Sequence, residues 1–383
     1  MEINKNYYLM NKNNKLLRFK IDELYGTNLC KEVESFSSAR PLGFTDINEW
    51  MEKRSFAKHH KHLNEYLIKC GINDKRGLAE LTHCLSLTDS LWVRSENENL
   101  SWEDVNLFTH DFTEVVSRLA FDGTGMYCEE LSFISPELTT DGGYPKCWIK
   151  EDDDIFLLKR GYEGALNNGL EPYCEVLASQ IFSVIVPNSV KYELVNFRGK
   201  KASKCATFTS DKYGFMPLSS VVKSINIEKI LEIYKELDSE ELFKEMIIAD
   251  CVSLNSDRHL GNLGFLVDND SLKPIKISPS FDFNLAMLPQ AMLDSKDNDF
   301  LHLEDYLKVH PPVFGNNYVD IGRSFLSSET ISRLINLKNT ELRIECDDTF
   351  SEIRLKFMNE IKDIQIDKIL GKGRLYQVSN NIF

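Results

Sequence analysis

The segment that decides the fold is Asp250-Cys-Val-Ser-Leu-Asn-Ser-Asp257-Arg-His-Leu-Gly-Asn262-Leu-Gly-Phe-Leu-Val267. Apolar residues at helical intervals precede it, its middle is polar, and its end is an apolar run typical of a strand. A loop held between a helix and a strand is a common platform for catalytic side chains. The segment therefore predicts several ionisable groups on one short, fixed loop.

Two residues of this loop have the spacing that phosphoryl transfer requires. The protein-kinase catalytic loop supplies a proton-accepting Asp and a metal-binding Asn separated by four residues. Asp257 and Asn262 have that separation. Asp250 and Asn255 have it too, but Asp257 and Asn262 are followed by an apolar strand and then by Asp282, a second acid at the end of a hydrophobic approach. A second Asp is what the chemistry needs to bind the metal, although a turn or cap carboxylate is the common alternative for Asp282.

A glycine-containing loop and a lysine in an apolar run lie upstream. Glycine in Thr139-Thr-Asp-Gly-Gly-Tyr-Pro-Lys146 lets backbone N–H groups approach phosphates, although such a stretch is more often an ordinary turn. Lys159 ends a strand-like run, where its ammonium group needs a partner. Glu175 on the next helix is the candidate partner, and a surface ion pair is the alternative. The candidate phosphate-binding residues are Thr140, Asp141, Gly142, Gly143 and Lys159.

Changes in periodicity divide the chain into three parts. They are a mixed, mostly helical part over 1–125, a β-rich part over 126–218, and a helical part over 219–383. Within them the pattern predicts one hairpin over 146–159, a second over 191–209, and helices over 171–182 and 350–369. The sequence therefore predicts an α+β protein with an N-terminal accessory domain, a β-rich lobe and a helical lobe.

The motif Asp250-x6-Asp257-Arg-His-x-x-Asn262-x-Gly, with Ser-Phe-Asp282 downstream and Glu175-Val-Leu-Ala-Ser in an earlier helix, resembles the HipA-like serine/threonine kinases of bacteria. That family includes toxins of toxin–antitoxin modules and stand-alone kinases of the CtkA type. The resemblance is specific over 135–287 and implies a two-lobed protein-kinase-like fold that uses ATP and Mg²⁺. Its implied site residues are Asp257 as base, Asn262 and Asp282 as metal ligands, Lys159 as a phosphate contact, and Thr207, Phe208 and Thr209 as the hinge that meets the adenine.

The sequence departs from the kinase pattern in two places. The tripeptide at the second acid is Asp282-Phe283-Asn284 rather than D-F-G, which puts an activation-segment switch in doubt. The glycine loop lacks G-x-G-x-x-G, which puts its contacts with the phosphates in doubt. Neither departure removes a catalytic group. Family members are silenced by phosphorylation of a phosphate-loop hydroxyl, and the candidates here are Ser135, Thr139 and Thr140, for which ordinary turn chemistry is an equal alternative.

Two further residues of the central loop have alternative roles. Arg258 either anchors the loop or neutralises a phosphate, and we favour anchoring. Histidine is a common general acid or base, but Asp257 already supplies the base. We therefore place His259 among the nucleotide-binding residues, as a brace of the loop.

The charge balance excludes several classes of protein. The chain has 383 residues, with 45 Lys and Arg against 59 Asp and Glu, and a net charge of −14. Basic runs occur only at Lys58–Lys61 and Lys200–Lys204, so direct nucleic-acid binding is not expected, whereas a basic partner such as a small DNA-binding antitoxin would be complementary. There is no secretion signal, no apolar run of about 18 residues, and no C-x-x-C among nine scattered cysteines. We expect a cytoplasmic protein with reduced thiols and no membrane contact.

The predicted function is ATP- and Mg²⁺-dependent phosphorylation of Ser or Thr hydroxyls in a protein substrate. The resemblance adds autophosphorylation and a toxin role. Two alternatives stay open: a lipid kinase similar to the phosphoinositide kinases, whose loop also contains D-R-H-x-x-N, and a nucleotide-binding regulator of low turnover that holds a DNA-binding partner. The lipid kinase is disfavoured because no basic amphipathic surface for anionic membranes is evident.

Overall fold

The computed structural model describes residues 5–24, 27–54, 75–123, 135–140, 143–163, 169–294, 299–300 and 302–371. The chain divides into two compact units, each assembled from separate stretches of sequence. The first unit comprises Met1–Gly164, Tyr192–Ile225 and Leu260–Pro279, and the second comprises Ala165–Lys191, Asn226–His259 and Ser280–Phe383. The three-part division expected from the sequence stays a prediction.

The first unit begins with a four-stranded antiparallel sheet of order β3-β2-β1-β4. Its strands are β1 (Asn6–Asn11), β2 (Asn14–Leu24), β3 (Thr27–Ser35) and β4 (Leu91–Ser95). The described helices of this region are α1 (Ile47–Lys53), α2 (Lys75–Leu81), α3 (Trp102–Val105) and α4 (Glu114–Asp122). The mixed character expected of the N-terminal part is therefore present.

Strands, not helices, account for the described regular structure of residues 5–24 and 27–35. Strand β1 is buried on both faces, because Tyr7 and Leu9 belong to one apolar cluster while Tyr8 and Met10 belong to another. A strand buried on both faces has a continuous apolar run instead of an alternating one. Such a short run does not distinguish a strand from a buried helix by periodicity, so the sequence pattern alone does not identify this strand.

A second antiparallel sheet, of order β5-β6-β8-β7, consists of two hairpins. Its strands are β5 (Lys146–Glu151), β6 (Asp154–Arg160), β7 (Glu193–Phe197) and β8 (Lys200–Ala206), and both predicted hairpins are confirmed. Arg198 and Gly199 have φ values of +50° and +76°, the left-handed geometry of a two-residue hairpin turn. Cys147 and Leu158 pack with Phe121 of α4 in the core beneath this sheet.

A third sheet has the strand order β11-β10-β9, and its central strand, β10, begins just after Asn262. Its strands are β9 (Tyr213–Pro217), β10 (Gly264–Asp268) and β11 (Lys273–Ile277). Gly264 is required where β10 begins, because a Cβ atom there would lie 2.1 Å from the carbonyl oxygen of Met216. This close approach fixes the register of β10 against β9.

The described part of the second unit is helical apart from one short strand pair. Its elements are α5 (Glu171–Ile185), α6 (Ile227–Lys235), α7 (Glu240–Ser253), β12 (Leu293–Asp294), β13 (Asp299–Phe300), α8 (Leu303–Val309), α9 (Tyr318–Ser324), α10 (Ser328–Lys338) and α11 (Glu352–Ile369). The helices expected over 171–182 and 350–369 are confirmed. Helices α5 and α7 pack on each other and are buried around most of their circumference, as their apolar sequences require. None of the described helices combines the length and apolarity needed to cross a membrane.

Asn269, in the turn between β10 and β11, connects separate parts of the first unit. Its side-chain amide donates to the carbonyl oxygens of Ser210 and Asp211, each at 3.1 Å. Its own carbonyl oxygen accepts a hydrogen bond of 2.8 Å from the Asn11 side chain at the end of β1. Because Asn269 is fully buried, these bonds form away from water and tie the N-terminal sheet to the third sheet.

We predict that Asn269→Ala destabilises the first unit. The substitution leaves the carbonyl oxygens of Ser210 and Asp211 without their amide donor, and an unpaired buried polar group costs about 1–3 kcal/mol. Urea unfolding followed by circular dichroism should show a lower midpoint than the wild type. The control is Asn196→Ala on the exposed side of β7, which should leave the midpoint nearly unchanged. Equal midpoints for the two variants would contradict the role of Asn269.

Candidate active site

A buried ion pair connects the end of α7 to the loop that follows it. Arg258, which is 1 % exposed, donates from Nε to Asp250 Oδ2 and from Nη2 to Asp250 Oδ1, both at 3.0 Å. The Asn255 side-chain amide donates to the same Oδ1 at 2.7 Å. Helix α7 ends at Leu254, whose φ of +55° turns the chain out of the helix. The favoured anchoring role of Arg258 is confirmed by these bonds.

The same guanidinium group holds a second loop. Arg258 Nη1 donates to the carbonyl oxygen of Phe281 at 2.7 Å. Its central carbon lies 5.6 Å from the ring centroids of Phe182 and of Phe283, and these two rings stack at 4.1 Å. One buried cation therefore fixes both the loop after α7 and the segment just before Asp282.

Asp257, the predicted base, is half-buried in the loop after α7. Its backbone N–H donates to Asn255 Oδ1 at 3.2 Å, and its carbonyl oxygen accepts from the N–H of His259 at 2.9 Å. The side chain of His259 is exposed. Because the backbone is hydrogen-bonded on both sides, the Asp257 carboxylate is carried on a fixed turn.

Asp282, the predicted metal ligand, occupies a bend that is anchored on both sides. Its φ is +61°, a left-handed conformation that Asp tolerates better than most residues. Before the bend, Ser280 donates to Asn188 at 2.9 Å and accepts from Val190 at 2.8 Å through backbone groups. After it, the N–H of Phe283 donates to Glu175 Oε1 at 3.2 Å. The half-buried Asp282 carboxylate is thus held by both flanking segments.

Glu175 has a role in this unit that the sequence did not suggest. It was chosen as the partner of Lys159, and the structure describes its bond to the N–H of Phe283, with the residue 1 % exposed. Lys159 lies in the first unit, where its ammonium nitrogen is 5.5 Å from the ring centroid of Tyr192. The pairing of Glu175 with Lys159 stays a prediction.

Asn262, the second predicted metal ligand, is buried in the first unit. The residues on either side of it are fixed by backbone bonds, because Ser219 donates to Leu260 at 3.1 Å and Leu218 donates to Leu263 at 2.7 Å. The chain therefore presents Asn262 from a short segment held immediately before β10.

The predicted hinge is ordered by local hydrogen bonds. The N–H of Thr207 donates to the carbonyl oxygen of Ile155 at 2.9 Å, and the hydroxyls of Thr207 and Thr209 are 2.7 Å apart. The ring of Phe208 packs edge-on against Phe215 at 5.7 Å. A contact of these residues with adenine stays a prediction.

The predicted phosphate loop follows a buried carboxylate that the sequence analysis missed. Glu137 lies in a short 3₁₀ turn, Pro136–Thr139, where its Oε1 accepts from the N–H of Trp148 at 2.9 Å and its Oε2 accepts from the hydroxyl of Ser135. The hydroxyl of Thr140 donates to Pro136 at 2.6 Å and accepts from the Trp148 indole at 2.8 Å. Gly143 is exposed, and two predicted phosphate-binding residues, Asp141 and Gly142, lie outside the described residues.

The donor set suits a magnesium ion that arrives with its nucleotide. Among the described residues, no group of three or more His, Cys, Asp or Glu side chains is placed to hold a metal ion. Mg²⁺ in kinase sites is bound through one or two protein oxygens together with substrate phosphates and water, so such a group is not needed. Asp282 offers a carboxylate of this kind in the second unit, and the binding of the same ion by Asn262, which lies in the first unit, stays a prediction.

The comparison with solved structures supports this fold. No family model matches the chain, and no curated protein matches it. Among solved structures, a chain from the Shewanella oneidensis MR-1 toxin–antitoxin complex of HipA, HipB and operator DNA matches with a TM-score of 0.52 and 11 % identity, over 95 % of this chain and 97 % of that chain. The chain has the HipA-like kinase fold. The Helicobacter pylori proinflammatory kinase CtkA matches with a TM-score of 0.43 and 18 % identity, over 60 % of this chain and 89 % of that chain.

The predicted HipA-like, kinase-like α+β fold is thereby confirmed at the level of the fold. The residue roles stay predictions, because this fold can be shared by proteins whose sites differ. Glu137 was missed since nothing in Ser-Pro-Glu distinguishes a buried carboxylate from a first-turn acid.

We predict that breaking the buried pair destabilises the second unit strongly. Removing one partner of a buried ion pair leaves an uncompensated charge and costs about 3–5 kcal/mol. Arg258→Met and Asp250→Asn should each lower the free energy of unfolding, measured by urea denaturation, by that amount. The double variant should lose less than the sum of the two single losses, because it leaves neither charge unpaired. Additive losses in this double-mutant cycle would contradict direct coupling.

We predict a pH-dependent contribution from Glu137. Burial raises the pKa of this carboxyl above its usual value near 4.5, against the lowering effect of the bonds from Ser135 and Trp148. Because the folded-state pKa is the higher one, the stabilising contribution is full below about pH 4.5 and is lost as the pH rises through the folded-state pKa. Urea midpoints measured from pH 4 to 8 should therefore fall for the wild type relative to Glu137→Gln. The exposed Glu193→Gln variant should keep the wild-type profile, and parallel profiles for Glu137→Gln would refute the prediction.

Proposed function

We propose that the chain is an ATP- and Mg²⁺-dependent protein kinase of the HipA type that phosphorylates Ser or Thr hydroxyls. The observation that carries the proposal is the linkage of the Asp257 loop and the Asp282 segment through Arg258. Phosphoryl transfer depends mostly on positioning and charge neutralisation, so a base and a metal ligand must be held by rigid structure. The HipA-like fold supports the assignment.

The proposed roles follow the order of parts in a kinase. Asp257 accepts the proton of the substrate hydroxyl as the hydroxyl oxygen attacks the γ-phosphorus, and the bond from that phosphorus to the β–γ bridging oxygen breaks to release ADP. Asn262 and Asp282 bind Mg²⁺, which neutralises charge on the β- and γ-phosphates when bound. Lys159 contacts phosphate oxygens and Glu175 supports it. The other proposed nucleotide-binding residues are Thr140, Asp141, Gly142, Gly143, Thr207, Phe208, Thr209 and His259.

The proposed autophosphorylation sites differ in accessibility. Ser135 is 3 % exposed and donates to the buried Glu137 carboxylate, whereas Thr139 and Thr140 are half-buried. The hydroxyls of Thr139 and Thr140 donate to the carbonyl oxygens of Leu85 and Pro136, both at 2.6 Å. A phosphate on either threonine would remove that bond, so modification would rearrange the start of the phosphate loop. Thr139 and Thr140 are therefore the preferred sites.

A small DNA-binding antitoxin is the proposed partner. The HipA of the matched structure is in complex with HipB and operator DNA, and a net charge of −14 would complement a basic partner. Every described cysteine is a free thiol, which is consistent with action in a reducing cytosol.

The test is intact-mass analysis before and after incubation with Mg²⁺-ATP, with ATP consumption followed in the same samples. The wild type should gain phosphate or transfer it to a protein substrate. Asp257→Asn keeps the side-chain shape and should slow transfer by about 10²- to 10⁴-fold, the usual loss for a general base. Asp282→Asn also keeps the shape and should slow transfer because it removes the charge of a metal ligand. Asp305→Asn, at an exposed site on α8, is the matched control and should retain the wild-type rate.

Three results would overturn the assignment. Wild-type rates in folded Asp257→Asn would remove the proposed base. Phosphate incorporation into phosphoinositide vesicles but into no protein would identify a lipid kinase. Tight ATP binding without turnover, in the presence of a DNA-binding partner, would identify the nucleotide-binding regulator.

A further inference from the structure

Asn284 carries a buried polar atom that the fold does not satisfy. The residue is 8 % exposed, and its Oδ1 has no hydrogen-bond donor among the described residues. Buried polar atoms are nearly always paired, because an unpaired one costs about 1–3 kcal/mol. Asn284 also stands where the D-F-G tripeptide has a glycine, a residue with no side chain. The unpaired oxygen is thus an addition at this position, and it destabilises the free protein.

The backbone around Asn284 is hydrogen-bonded on both sides. On one side, the N–H of Phe283 donates to Glu175 at 3.2 Å, and on the other the N–H of Ala286 donates to the carbonyl oxygen of Phe283 at 3.0 Å. Two peptide bonds separate Asn284 from Asp282, so their Cα atoms are at most about 7.6 Å apart. Asp282 and Asn284 therefore lie on one short, anchored segment.

The ordinary role of Asn in a bend does not account for this side chain. In an Asx turn, the side-chain oxygen accepts a hydrogen bond from a backbone N–H two residues further on. Asn284 Oδ1 accepts no such bond in the described part of the chain. The lone pairs of this buried oxygen are therefore not used by a hydrogen-bond donor of the protein, and a neutral amide oxygen is a ligand that Mg²⁺ accepts.

We propose that Asn284 Oδ1 is a further oxygen ligand of the Mg²⁺ that Asp282 binds. This inference rests on the proposed function, since it uses the same metal ion. It adds a third protein oxygen to the two expected from the kinase motif, and this third oxygen has no counterpart in a D-F-G sequence. The cost of leaving the oxygen unpaired in the free protein is recovered when the metal–nucleotide complex binds.

The test measures metal binding without turnover. Mn²⁺, in place of Mg²⁺, is titrated by electron paramagnetic resonance into the full chain saturated with a non-hydrolysable ATP analogue. Asn284→Leu keeps a branched side chain of similar shape but no oxygen, and the metal affinity should fall about 10- to 100-fold, as for other losses at metal sites. Asn284→Asp, which adds a charge to the oxygen, should bind the metal more tightly. Affinity for the metal-free analogue should be the same in all variants.

Thermal unfolding of the ligand-free protein separates this role from a structural one. If Oδ1 is unpaired, Asn284→Leu loses no bond and should unfold at the wild-type temperature or above it. The control is Asn188→Leu, because Asn188 also carries a buried unpaired atom in the same unit, but that atom is the nitrogen Nδ2, which does not bind a metal ion. Asn188→Leu should leave the metal affinity unchanged.

Each outcome has a defined meaning. Wild-type metal affinity in Asn284→Leu, with affinity lost in Asp282→Asn, would overturn this inference and leave the proposed function in place. A lower unfolding temperature for Asn284→Leu, with unchanged metal affinity, would assign Asn284 a structural role. Absence of nucleotide-dependent metal binding in the wild type would overturn the proposed function and this inference together.

Discussion

The buried pair of Arg258 and Asp250 is the interaction on which the candidate site depends. Moving two charges out of water costs several kcal/mol for each ion, and this cost is offset only when the geometry is good and the remaining donors are used. Here both conditions hold, since the pair is bidentate and the third guanidinium nitrogen bonds Phe281. Replacing a buried ion pair by hydrophobic residues of similar volume is often neutral for stability or stabilising. The function of Arg258 is therefore to hold the two loops in place.

What it holds are two turns with left-handed backbone geometry. Leu254 and Asp282 both have positive φ, and a leucine in this region is strained. Such turns persist only when the surrounding bonds determine them. Asn255 and Arg258 supply these bonds for the first turn, and Glu175, Ser280 and Arg258 supply them for the second. The acidic side chains are therefore placed by backbone geometry that the hydrogen bonds of the buried cation stabilise.

The sequence predicts the parts of this arrangement that are local. The spacing of Asp257 and Asn262 and the two hairpins depend on neighbouring residues, and they were recognised from the chain alone. Pairings between residues far apart in the sequence cannot be recognised in this way. The sequence predicts an ion pair between Glu175 and Lys159. No periodicity in the helix indicates that the Glu175 carboxylate accepts a hydrogen bond from the N–H of Phe283, 108 residues further along the chain. The burial of Glu137 was missed for the same reason, because a carboxyl in a first turn is usually solvated.

The hydrogen bond between Asn11 and Asn269 has a consequence for biosynthesis. It joins residues 258 positions apart, so the strand that carries Asn11 is synthesised well before Asn269. Asn11 stays without this hydrogen bond until the turn between β10 and β11, which contains Asn269, has been made. Closing so long a loop is entropically costly, which slows the assembly of the first unit. The apolar strands of the first sheet, which are made before Asn269, are thus a natural substrate for chaperones during synthesis.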